Sequence, residues 1–141
     1  MARLTENFTL EELTVTDTGL PNIPSEVQTE KLLYLATYIL QPIRQKFGPV
    51  VVHSGFRSDA VNASIGGVKT SQHLLGEAVD FSVPGVNLGM VFSWCKANLR
   101  YGQLIDESKG GDKNWIHVSL CRIGGVNQQS MIMREGKYEL A

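Results

Sequence analysis

The sequence predicts an α+β domain, with helices from its first part packed on a small, mostly antiparallel sheet. Two observations predict the fold. Apolar residues at Leu32, Leu35, Ala36, Ile39, Leu40, Ile43 and Phe47 keep close to the helical period. Beyond residue 50 the chain turns to short β-branched or alternating runs separated by glycine-bearing turns. Helices first and strands after is the order of an α+β domain. At 141 residues the whole chain, 1–141, is expected to be one domain.

The elements follow in order. Phe8-Thr9-Leu10-Glu11-Glu12-Leu13 reads as a short helical turn capped by Thr9, with Glu12 three residues on. Residues 16–24, rich in Thr, Gly, Asn and Pro, read as a loop. Ser25 and Gln28 have capping-box spacing and start the main helix, which Pro42 should kink or divide and Gly48 should stop. Residues 50–53 read as a strand, 58–64 as a short helix capped by Ser58 and broken by Gly66-Gly67, and 78–83 as a second strand ended by Pro84-Gly85. Asn87 caps a helix from Leu88 to about Leu99, with Val91, Phe92, Cys95 and Leu99 on one face. Strands near 101–107 and 114–120 form a hairpin around Gly110-Gly111, and a last strand lies near 131–134.

Composition narrows the function. Hydrophobic residues make up 43% and charged residues 19%, the balance of a globular domain rather than a disordered one. The formal net charge of −1 lacks the basic footprint of a nucleic-acid binder. No apolar run approaches a membrane span, and the first residues lack a signal-peptide stretch, so the chain is expected to be made in the cytoplasm. Cys95 and Cys121 form no CxxC pair and read as reduced core thiols.

Three histidines carry the chemistry. His53 ends a strand with no partner pattern and reads as structural. His73 precedes Asp80 by seven residues, with Gly76 between them to turn the chain back. In Trp115-Ile116-His117-Val118-Ser119 the alternation puts His117 opposite the apolar face of Ile116 and Val118, toward a cleft or solvent. Two histidines and a carboxylate suit zinc with an open fourth position for a water. On spacing alone an ordinary surface or packed histidine is the commoner reading.

The segments Ser71-x-His73-x-x-Gly76-x-Ala78-x-Asp80 and Trp115-x-His117-x-Ser119 resemble the two metal motifs of the D-alanyl-D-alanine carboxypeptidase and phage endolysin family of zinc peptidases, the M15 peptidases. Ser54-Gly55-Phe56-Arg57-Ser58 is similar to that family's SGYRS segment, and Asn62 and Gly66-Gly67 fit the loop after it. Phe8 to Leu13, and Leu40 to Arg44, resemble a branch met in phage and bacterial genomes. The resemblance runs over roughly residues 7 to 120.

It implies that His73, Asp80 and His117 bind Zn2+, and that Arg57 holds substrate or the developing oxyanion. A planar guanidinium suits either task. It further implies cleavage of a peptide bond in peptidoglycan, as a carboxypeptidase or an endopeptidase, by a monomer that acts on the cell wall and needs neither nucleic acid nor membrane. The D-Ala-D-Ala terminus, a cross-link and the L-Ala-D-Glu stem all remain open as the bond cut. Ser71 and Gln103 are candidate substrate contacts.

One position departs from the pattern. Where many members carry the catalytic Glu or Asp, three residues before the second histidine, this chain has Asn114, which cannot take a proton. Strand parity offers a substitute. If Leu104 joins the apolar face, then Gln103, Ile105 and Glu107 share the face of His117, and Asp106 points away. Gln103-Leu104-Ile105-Asp106-Glu107 also resembles a QLIxE run of the related branch. Glu107 is the expected base, with Asp112 the other candidate. The alternative function is a zinc-containing binding module without catalysis, as in the hedgehog proteins, whose motifs are similar.

Overall fold

A computed structural model describes residues 2–109, 114–125 and 127–141. Its helices begin at side-chain caps. In α1 (Leu10–Leu13) Thr9 and Glu12 close a capping box, and in α2 (Glu26–Leu35) Ser25 and Gln28 close another. Each box satisfies two amides that a helix start leaves without partners.

Pro42 neither breaks the main helix nor divides it. Between α2 and α3 (Gln41–Phe47) the residues Ala36–Leu40 form a π-helical segment, where the Gln41 N–H reaches back to the Ala36 carbonyl. Proline lacks an amide proton and crowds the carbonyl four residues earlier. The wide turn immediately before it absorbs that conflict, and the helical path stays continuous to Phe47.

The sheet has six strands in the order β1-β2-β4-β3-β5-β6. They are β1 (Val51–Ser54), β2 (Ala78–Ser82), β3 (Gln103–Asp106), β4 (Ile116–Ser119), β5 (Gln129–Arg134) and β6 (Lys137–Leu140). All neighbours are antiparallel except β3 and β5. The helix α4 (Asp59–Ser64) follows β1, and α5 (Leu88–Asn98), capped by Asn87, follows β2.

Period-2 alternation gives the sheet two unlike faces. Val79 stands opposite Val118 and Phe81 opposite Ile116. These four join Leu104 and the helix residues Leu32, Leu35, Ile39, Leu40, Ile43, Val91 and Phe92 in the core. Burying each large aliphatic side chain there contributes about 1.5–3 kcal/mol. The residues between them, Asp80 and His117, therefore face away from the helices.

Two expectations need correction. Cys121 is exposed; only Cys95 is a core thiol. β4 ends at Ser119, so Cys121 lies where the chain has already left the sheet. The strand expected near 131–134 is β5, and β6, which follows it, was not foreseen. All four β6 residues are exposed, so they carry no burial alternation to read. Glu135 (φ 48°) and Gly136 (φ 79°) make the tight connection, both in the left-handed region that two-residue hairpin turns require.

Candidate metal centre

Register brings the candidate ligands together. Asp80 on β2 pairs directly with His117 on β4, and Ser54 on β1 lies opposite Asp80 on its other side. His73 arrives on a 3-10 turn, Gln72–Leu75, capped by the Ser71 hydroxyl, which accepts from the His73 N–H at 3.2 Å. Gly76 ends that turn at φ +73°, and a Cβ there would stand 2.7 Å from the Gln28 carbonyl oxygen. Only glycine both takes this backbone shape and lets the turn lie this close to α2. The chain then enters β2 at Ala78, two residues before Asp80.

One donor atom from each of His73, Asp80 and His117 lies within 4.8 Å of the other two. His73 Nδ1 is 2.7 Å from the Gly55 carbonyl oxygen. That bond puts the proton on Nδ1 and leaves the Nε2 lone pair for a metal. Nε2 is 3.4 Å from Asp80 Oδ2, and His117 Nδ1 is 2.9 Å from Asp80 Oδ1. Donors around a tetrahedral zinc lie roughly 3.3 Å apart when bonds are about 2.0–2.1 Å long. The three side chains therefore fit such an ion in number, kind and spacing. Burial alone would raise the Asp80 carboxyl, but hydrogen bonds from His117 and His73, and their charge when protonated, hold it well below the usual carboxylate range. Asp80 is thus kept ionised, the state a ligand needs.

Arg57 stands beside this cluster. Its amide donates to the His73 carbonyl at 3.0 Å. Its guanidinium donates to Ser54 Oγ at 2.9 Å, and at 3.4 Å to both Asn62 Oδ1 and Asp80 Oδ2. Burial lowers its pKa, against the opposing pull of Asp80 and Glu107.

Glu107 follows β3 and is almost wholly buried. Its amide donates to the Trp115 carbonyl at 3.1 Å, and its Oε2 accepts from Trp115 Nε1 at 3.0 Å. Leu104 pairs with Val118 and Ile105 with His117, so Gln103, Ile105 and Glu107 line the cleft while Asp106 does not. Asp106 instead accepts from the Ser108 amide at 2.9 Å.

The cleft has a volume of about 470 Å³ and is lined by the ligand triad together with Arg57, Glu107, Ser71 and Gln103. The Gln103 amide group donates to Gln129 Oε1 at 2.9 Å. Asn114 lines a different cavity, beside Ser108 and the segment after β2. Asp112 lies outside the described residues. His53 is not in the cluster; it bonds Ser82 Oγ at 2.7 Å and packs on Trp115.

A family model described as Peptidase M15 matches residues 6–119. The chain belongs to the M15 peptidase family. Both halves of the ligand set fall inside the matched region of this M15 chain, as do Arg57 and Glu107. No curated protein matches it.

Three contributors to this M15 site were missed in the sequence. The Gly55 carbonyl, which orients His73, is backbone and leaves no residue-type signal. Trp115 was noted for its motif, but its bond to Glu107 crosses the hairpin and has no local spacing. Tyr138 lines the cleft from β6, the unforeseen strand.

Proposed function

We propose that this chain is a zinc-dependent peptidase that hydrolyses a peptide bond of bacterial peptidoglycan. The observation that carries the proposal is the convergence of His73, Asp80 and His117 at ligand spacing in a cleft that Arg57 and Glu107 also line. Zinc held by those three residues would polarise the scissile carbonyl and bring the pKa of a water near 7. Glu107 takes a proton from the attacking water and passes it to the leaving amine. Its Oε2 accepts from Trp115 Nε1, which anchors the carboxylate in the wall of the cleft. Arg57 faces the negative charge that develops on the carbonyl oxygen. Asp80, accepting from Arg57 at 3.4 Å, keeps the guanidinium turned toward the cleft.

Asn114 favours a second reading, a zinc-containing module that binds without cutting. Release of soluble peptide from purified cell walls separates the two. The peptidase reading expects release that a chelator stops, that added zinc restores, and that His117→Ala abolishes together with about one bound zinc per chain. Stoichiometric zinc and wall binding with no release would establish the binding module instead.

A further inference from the structure

A guanidinium that faces developing charge must be held at one angle, and for Arg57 three side chains share that task. Its Nε donates to Ser54 Oγ at 2.9 Å, and its two terminal nitrogens donate at 3.4 Å to Asn62 Oδ1 and Asp80 Oδ2. Ser54 and Asp80 lie opposite each other on β1 and β2, so both hold the fork from the sheet. Asn62 holds it from α4, a separate element. Three points fix a plane; the two on the sheet alone leave the fork free to tilt about the line between them.

Asn62 does more than make that contact. It is 4% exposed, an uncommon setting for a carboxamide, and both of its ends are bonded. While Oδ1 accepts from Arg57, Nδ2 donates to the Val68 carbonyl at 3.0 Å, and the Asn62 main-chain carbonyl accepts from the Gly67 amide at 2.9 Å. A Cβ at Gly67 would stand 2.1 Å from Asn62 Oδ1, so the loop after α4 lies directly on the carboxamide. Gly66, Gly67, Val68 and Thr70 of that loop line the cleft together with Arg57. One buried side chain thus ties the arginine to the neighbouring wall. A carboxamide suits both tasks, whereas a carboxylate keeps the acceptor and loses the donor, and an aliphatic group loses both.

We propose that Asn62 is a positioning residue, which sets the angle of Arg57 through Oδ1 and fixes the loop 66–70 of the cleft wall through Nδ2. Its part in turnover rests on the peptidase reading above; its hold on Arg57 does not.

The test uses zinc-loaded full-length protein and reads Arg57 directly. Phenylglyoxal, which modifies guanidinium groups, is applied to the parent, Asn62→Leu and Asn62→Asp, and the rate at Arg57 is followed by peptide mass. Asn62→Leu loses both bonds, so Arg57 should react about two- to fivefold faster, as expected for one modest hydrogen bond. Asn62→Asp keeps the acceptor, so Arg57 should react no faster than in the parent. Kinetics with cell-wall peptide divide in the same way. Asn62→Leu should lower kcat about two- to fivefold, because Arg57 acts on the transition state. Asn62→Asp should raise KM with kcat retained, because only the wall is loosened. Zinc content should stay at the parent's level in both. If Asn62→Leu does not fold, as judged by circular dichroism, Asn62→Ala removes the same two bonds with less bulk. Labelling of Arg57 at the parent rate without the carboxamide overturns the proposal. So does equal acceleration in the Leu and Asp variants, which would make the loop and not the acceptor the cause, and so does faster labelling with an unchanged kcat. A parent that releases no peptide refutes the peptidase reading instead, and the labelling then decides on its own whether Asn62 holds Arg57.

Discussion

Gly76→Ala probes how the first ligand is placed, and its cost can be worked from two observations. An alanine at φ +73° costs about 1–2 kcal/mol for the left-handed backbone. Its Cβ would also sit 2.7 Å from the Gln28 carbonyl oxygen, a backbone atom fixed within α2 that cannot swing aside. Overpacking of that kind costs about 1–3 kcal/mol, for a total of roughly 2–5 kcal/mol. With an unfolding entropy of about 2.1 cal/mol/K per residue, the melting temperature should fall by roughly 7–17 °C. A thermal melt followed by circular dichroism measures this. Gly76→Asn separates the two contributions, because asparagine tolerates the left-handed region but still carries a Cβ. It should lose about 1–3 kcal/mol, from the close approach alone. A Gly76→Asn protein that melts with the parent would show that the turn does not lie against Gln28, and the account of how His73 is set beside Asp80 would fail with it.

The remaining predictions concern side chains. Glu107→Gln should lower kcat by about 10²–10⁴-fold while zinc stays bound, and Asp112→Asn should lose much less; the reverse order would make Asp112 the base. Arg57→Lys keeps the charge but gives up the fork that reaches Ser54, Asn62 and Asp80, so activity should drop about tenfold or more with zinc content unchanged. Unaltered turnover would remove Arg57 from the mechanism. A thiol-alkylating reagent applied to the native protein at pH 8 should label Cys121 and spare Cys95, whose thiol burial pushes up to about 12. Equal labelling of the two by mass spectrometry would contradict that burial.

Much of the site was legible because local chemistry and strand parity agree. Ser25 with Gln28, and Thr9 with Glu12, cap as their spacing predicts. The alternation of Ile116, His117 and Val118 set the face of His117, and the same rule set Gln103, Ile105 and Glu107 on the cleft side. What could not be read depends on contacts between distant segments. The order of the sheet puts β4 between β2 and β3, which no local pattern states. The Ser71 hydroxyl, on the lining of the cleft, also caps the turn that bears His73, a use fixed only by that turn's geometry. Tyr138 was invisible because an edge strand with both faces in solvent leaves no periodicity behind.

The central position of β4 has a consequence for how the protein yields. β4 is paired along both edges, by β2 and by β3, whereas β6 is paired along one. Amides sealed on both sides exchange with solvent only when large parts of a structure open together, and edge amides exchange through local fraying. His117 and Asp80 therefore belong to the slowest-exchanging part of the sheet, while Tyr138 belongs to a part that opens at little cost. Asp80 and His117 are also far apart in sequence, so their pairing must await closure of a long chain segment, a slow step in folding. The ligand pair lies in the part of the sheet that opens last, and the outer wall of the cleft can adjust while the ligands hold still.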